Sequence, residues 1–183
     1  VEMAALEAAL ASGAVATLCA VQGMRGVGKS QLASAFAQRC EHDGWSFVGW
    51  VTATSRGQLV EELAAIARGA GIVADDVSPD DAAARLLTWL NDGAQPDRLL
   101  VLDNVEDADD LTGLIPHGSR MRVIVTTTTK VTTLGTSVQL GVYSAEQATG
   151  FLQDTTGLDD EAGAAAVADE LGRLPVALTQ AAA

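Results

Sequence analysis

Eight consecutive residues, Gly23-Met24-Arg25-Gly26-Val27-Gly28-Lys29-Ser30, satisfy the pattern G-x-x-x-x-G-K-[ST] in full. Glycines at 23, 26 and 28 let successive backbone N–H groups converge on phosphate oxygens. Lys29 can reach the terminal phosphates, and the Ser30 hydroxyl suits a hard cation such as Mg2+. The helix that follows adds the positive end of its dipole. Val27 within the loop and Gln31 just after it belong to the same binding set. Arg25, at a variable position, either lies over the phosphates or points to solvent. A glycine-rich turn that merely happens to carry Lys-Ser is the bland alternative, and the apolar run before the loop and the helical pattern after it count against that.

A second candidate is Asp103, which closes the apolar run Leu99-Leu100-Val101-Leu102. A carboxylate at the end of a buried strand beside a phosphate loop holds Mg2+ directly or through water. In a rapid ATPase the next residue would be a carboxylate that takes a proton from the attacking water. Here it is Asn104, which can orient a water but cannot deprotonate it. Slow turnover is the expectation. Glu106, Asp107, Asp109 and Asp110 follow and read as solvated surface charge. Thr126 and Thr127 end another apolar run, RVIVTT, and their hydroxyls either sense the terminal phosphate and its attacking water or serve as ordinary strand residues. Lys130 reads as exposed.

These groups must be brought together by the elements around them. Strand candidates are residues 15 to 22, 47 to 53, 99 to 103, 122 to 127 and 137 to 140. Helical periodicity appears over 2 to 12, 29 to 41, 58 to 68, 79 to 90, 144 to 152, 159 to 171 and 175 to 183. Strands alternating with helices predict an α/β fold with a parallel sheet. Past residue 143 only helical patterns remain, so the expected division is a nucleotide-binding domain over 1–143 and a small helical domain over 144–183, the latter incomplete. Leu59, Leu63 and Ile66 face inward on the third helix. Leu86, Leu87, Trp89 and Leu90 do so on the fourth.

Composition narrows the functions. The 183 residues are 48% hydrophobic, enough for a well-buried core, and 11 Lys and Arg face 24 Asp and Glu, a formal net charge of −13. Such a chain is a poor electrostatic partner for nucleic acid or an anionic membrane. The longest apolar stretches fall short of the ~20 residues that span a bilayer, and a cytoplasmic setting is expected. Cys19 and Cys40 are too far apart along the elements to pair, and with only His42 and His117 as imidazoles a zinc site is not expected. No Asn-Lys-x-Asp stretch for reading guanine is present, which favours ATP or ADP. A kinase acting on a small molecule would need a basic lid, and no segment reads as one.

The order of these stretches resembles the NB-ARC nucleotide-binding domain of the STAND class of signalling NTPases. The likeness is carried by GMRGVGKS at 23–30, FVGWVTA at 47–53, LLVLDNVED at 99–107, GSRMRVIVTTT at 118–128 and LGRLPVAL at 171–178. It implies a three-layer P-loop NTPase fold of the ASCE type, with a parallel five-stranded sheet in which the strand ending at Thr127 separates the phosphate-loop strand from the Asp103 strand. It also implies that Pro175 approaches the adenine or ribose side of the nucleotide from the helical segment, although Leu174 and Val176 otherwise read as core residues flanking a helix-starting proline. Two departures matter. Thr128 stands where the family often has an arginine, and Asn104 stands where it has a second aspartate; both point to nucleotide retention. The function implied is an ATP/ADP-dependent, Mg2+-requiring switch with slow or no hydrolysis that controls self-association of a longer protein. The alternative is an AAA-like ATPase in which turnover is the principal output.

Overall fold

The computed structural model describes residues 2–20, 26–92, 97–128 and 134–183. In chain order the elements are α1 (Glu2–Ser12), β1 (Val15–Ala20), α2 (Lys29–His42), β2 (Phe47–Thr52), α3 (Arg56–Gly69), α4 (Pro79–Asn91), β3 (Arg98–Val105), a 3-10 turn (Ala108–Leu111), β4 (Met121–Thr127), β5 (Thr136–Leu140), α5 (Ala145–Thr156), α6 (Glu161–Glu170) and α7 (Pro175–Ala181). The helix ends follow local side-chain chemistry. Ser55 accepts from Gln58 N–H, starting α3 two residues before its apolar periodicity begins. Ser78 caps α4, and Pro79 occupies its first turn. Ser144 and Gln147 form a reciprocal capping box on α5, which runs on to Gly157 at φ 70, past the Leu152 at which its periodicity was expected to stop. Val21 and Gln22, expected at the end of the first strand, lie outside the described residues.

All pairings are parallel, in the order β2-β3-β4-β1-β5. The strand carrying Thr127 therefore lies between the phosphate-loop strand and the Asp103 strand, which is the ASCE arrangement. β3 shows why a near-continuous apolar run makes a central strand. Leu99 and Val101 enter the core under α1 and α2, while Leu100 and Leu102 enter the one under α3 and α4. Each such fully buried side chain contributes roughly 1.5–3 kcal/mol of transfer free energy. β3 does not stop at Asp103 as its apolar run suggests; it continues to Val105, with a register shift between Leu102 and Val105. Pairing with β2 reaches the acid, where Thr52 lies opposite Asp103 and Ala53 N–H donates to the Asp103 carbonyl at 2.8 Å.

Helices α5 to α7 gather a small separate cluster of Ala148, Leu152, Ala168 and Leu178. Two backbone bonds tie this segment back. Tyr143 N–H donates to the Arg173 carbonyl at 3.0 Å, and Val176 N–H donates to the Gly26 carbonyl at 3.3 Å.

Candidate functional site

In a parallel sheet every strand delivers its C-terminal end to one edge, and the chain leaves β1 towards β2 on one side while β5 lies on the other. The crevice at such a switch point is the usual place for a ligand. Here it is filled by the turn into α2. Gly26 and Gly28 have φ of 78 and 89, values that favour residues without a Cβ. Gly28 is the N-cap of α2 and supplies no side-chain cap, and a helix start of this kind favours an anion through its backbone N–H groups and dipole. Val27 is buried and anchors the turn in the core under α2.

Two adjoining cavities meet at this turn. The first, of about 280 Å³, is bordered by Lys29, Ser30, Asn104, Thr126, Thr127 and Val176, together with the loop glycines. The second, of about 240 Å³, has a mostly apolar lining that includes Val27, Leu32, Leu140, Tyr143 and Pro175, with Glu2 at its border. Gly28 and Gln31 border both.

Asp103 is half-buried, next to Asn104 and bonded to Ser30 and Thr126, all three of which border the first cavity. Its Oδ1 accepts from the Ser30 hydroxyl at 2.8 Å and from the Thr126 hydroxyl. A hydroxyl and a carboxylate in direct contact beside a phosphate turn are the hard-oxygen donors that Mg2+ takes from proteins, the remaining ligands being water and phosphate. Among the described residues no cluster of three or more His, Cys, Asp or Glu side chains could enclose a metal by itself. The donor set thus fits a metal shared with phosphates rather than a closed structural site. Cys40 offers no thiolate: burial, helped by the Asp43 carboxylate, raises its pKa to about 11. Both cysteines are buried and unpaired.

The sequence-predicted residues sort clearly. Gly26, Val27, Gly28, Lys29, Ser30 and Gln31 form the turn and the start of α2, Asn104 and Thr127 border the first cavity, Asp103 is bonded to Ser30 beside it, and Pro175 borders the second. Gly23 and Arg25 lie outside the described residues, as does Lys130. Thr126 has a specific partner, since its hydroxyl bonds Asp103. Thr128, standing at the family's arginine position, borders the first cavity. Glu106, Asp107 and Asp109 are exposed as expected, and Asp107 also caps the 3-10 turn by accepting from Asp109 N–H at 2.9 Å. Arg122 bonds the Ser119 and Met121 carbonyls at the start of β4, at the opposite edge of the sheet.

Two features escaped the sequence reading. Val176 is no core residue: it is 40% exposed, borders the first cavity, and would lie 3.1 Å from a Cβ placed on Gly26. A β-branched residue after a helix-starting proline carries no signal of that role. Tyr143 borders the second cavity and tilts against Phe151 with ring centroids 6.0 Å apart; the serine that follows it signalled only a helix start.

A parallel ASCE sheet with a phosphate turn after β1 and an acid on β3 defines a P-loop NTPase. More narrowly, the chain belongs to the NB-ARC domain family, whose description matches residues 2–153, and with it comes a capacity for adenine nucleotide and Mg2+. No curated protein sequence matches the chain. In fold it is similar to the Aeropyrum pernix ORC2 protein in its ADPNP-ADP complexes, at 17% identity and a TM-score of 0.61, over 96% of this chain and 57% of that one. It is also similar to a Signal Transduction ATPase with Numerous Domains (STAND) protein with a tetratricopeptide repeat sensor from Pyrococcus horikoshii, at 17% identity and a TM-score of 0.57, over 95% of this chain and 28% of that one. A Thermotoga maritima RuvB mutant matches at 12% identity and a TM-score of 0.56, over 98% of this chain and 61% of that one. At these identities the likeness is one of fold, and the chain spans less than two thirds of each of these relatives. Among the described residues no helix is long and apolar enough to cross a membrane.

Proposed function

We propose that this segment is an ATP/ADP-binding switch domain with slow or no intrinsic hydrolysis, which controls self-association of a longer STAND-type protein in the cytoplasm. The observation that carries the reading is the pair of adjoining cavities sharing Gly28 and Gln31, one bordered by Lys29, Ser30 and the ends of β3 and β4, the other by Leu32, Leu140, Tyr143 and Pro175. A nucleotide has the same two halves. The turn and Lys29 would take the phosphates, and Leu140, Tyr143 and Pro175 would flank the base. Ser30 and Asp103 would hold Mg2+, which neutralises phosphate charge when bound.

The division proposed is residues 1–143 as the nucleotide-binding domain and 144–183 as a helical domain closing over it. The Val176 bond to Gly26 supports closure, because it ties α7 to the turn that would hold the phosphates. A switch then needs ADP and ATP to differ in their affinity for closed and open states. Asn104 supports retention over turnover, since its amide has no basic site for a water proton. An AAA-like ATPase would want a carboxylate there. The acidic balance of the chain argues against direct nucleic-acid contact.

The test is to denature freshly purified protein and identify the released nucleotide by chromatography and mass spectrometry, with Lys29→Ala as control. Stoichiometric ADP, lost in the variant, is expected. Loss of the charge-assisted bonds of Lys29, worth roughly 1.5–3 kcal/mol, should weaken added ADP by about 10- to 150-fold. Multiple-turnover ATP hydrolysis at the pace of a motor would overturn the switch reading.

A further inference from the structure

The two central strands are in regular register up to Leu102 opposite Val125 and resume it with Val105 opposite Thr127, so Asp103 and Asn104 together face Thr126. Such a bulge redirects side chains that a regular pleat would send elsewhere. Asn104 takes up the extra residue at φ 61, a left-handed conformation that asparagine tolerates better than most residues. One buried hydroxyl joins both bulged residues. Asn104 N–H donates to Thr126 Oγ1 at 2.9 Å, and Thr126 donates its single hydrogen to Asp103 Oδ1. Thr126 is 1% exposed, so its hydroxyl is held within the sheet while Asp103 is half-buried and Asn104 exposed.

We infer that Thr126 is a positioning residue for the Asp103 carboxylate, aiming it at the cation site, and not a sensor of the terminal phosphate. With its only hydrogen donated to Asp103, Thr126 has none left to give a phosphate oxygen. The inference rests on the reading of Ser30 and Asp103 as magnesium ligands. Residues that orient a metal ligand characteristically change metal affinity about 10- to 100-fold when removed.

The test titrates Mg2+ into protein saturated with ADP, and separately measures ADP affinity in EDTA, for wild type, Thr126→Val and Thr126→Ser. Valine keeps the shape and removes the hydroxyl; serine keeps the hydroxyl. The expected result is a magnesium midpoint raised about 10-fold or more in Thr126→Val, near wild type in Thr126→Ser, with ADP affinity in EDTA unchanged in both. Equal midpoints in wild type and Thr126→Val would overturn the role of Thr126 while leaving the metal site standing. So would equal shifts in the valine and serine variants, which would assign the effect to packing. A wild type whose ADP binding ignores Mg2+ altogether would remove the metal reading and this inference with it.

Discussion

At the N-terminal edge of the sheet Arg98 is 1% exposed, and its guanidinium donates to the Trp89 and Asp92 carbonyls at the end of α4 while lying 4.8 Å from the Trp89 ring centroid. At the C-terminal edge Lys29, Ser30 and Asn104 border an open cavity, and Asp103 is bonded to Ser30 beside it. Both edges gather polar groups. They differ in what those groups are for. Arg98 satisfies the last carbonyls of a helix, and the protein itself supplies most of its partners; burial lowers its pKa from the ordinary arginine value, and Asp92 opposes that shift. At the other edge the turn glycines and the start of α2 border a space the protein does not fill. Polar groups enclosed by their own chain specify structure, whereas polar groups converging on a void specify a ligand.

Replacing Arg98 should break that contrast most severely. Arg98→Met fills much of the volume but removes the charged donor from which the Trp89 and Asp92 carbonyls accept, and a hydrogen bond to a charged group contributes roughly 1.5–3 kcal/mol. We expect about 2–4 kcal/mol lost in urea unfolding, with ADP affinity of the folded protein within about twofold of wild type. A large loss of affinity in protein that is still folded would show that the two edges are coupled.

The second experiment sharpens the division between the two cavities. Tyr143→Ala removes an aromatic wall from the one that Leu140 and Pro175 also border, and contacts of that kind are worth about 0.5–1.5 kcal/mol beyond burial. ADP should bind about 3- to 10-fold more weakly, while inorganic tripolyphosphate competes as well as before. Equal losses for both ligands would mean that Tyr143 acts on the phosphate turn.

The smallest effect concerns the bulge. Asn104→Gly should change stability by less than about 1 kcal/mol, whereas Asn104→Val, β-branched at a left-handed φ, should cost about 1–2 kcal/mol in thermal or urea unfolding. Identical stabilities would remove the argument that backbone conformation favours asparagine there.

Much of this molecule is readable in the chain because its causes are local. The phosphate turn announces itself by glycine spacing and the Lys-Ser that opens α2. Ser55, Ser78 and Ser144 mark helix starts because a hydroxyl can reach an N–H two or three residues ahead. The Asp103 strand is visible as an apolar run, and the five strands follow from β-branched stretches between helical periods. Arg98 was not readable. Next to Asp97 and ahead of a strand it looks like surface charge, and only the approach of α4 encloses it.

The sequence by itself determined the element order, the phosphate turn and the two oxygens suited to Mg2+, because spacing and side-chain chemistry act over a few residues. The tertiary structure alone decided that β3 bulges at Asp103 and Asn104, that Thr126 bonds both, that Val176 borders the cavity at the glycine turn, and that Tyr143 borders the one beside it. Each of these depends on which strand or helix arrives from far along the chain. A residue's neighbours in space are set by that packing, and residue type and spacing do not encode it.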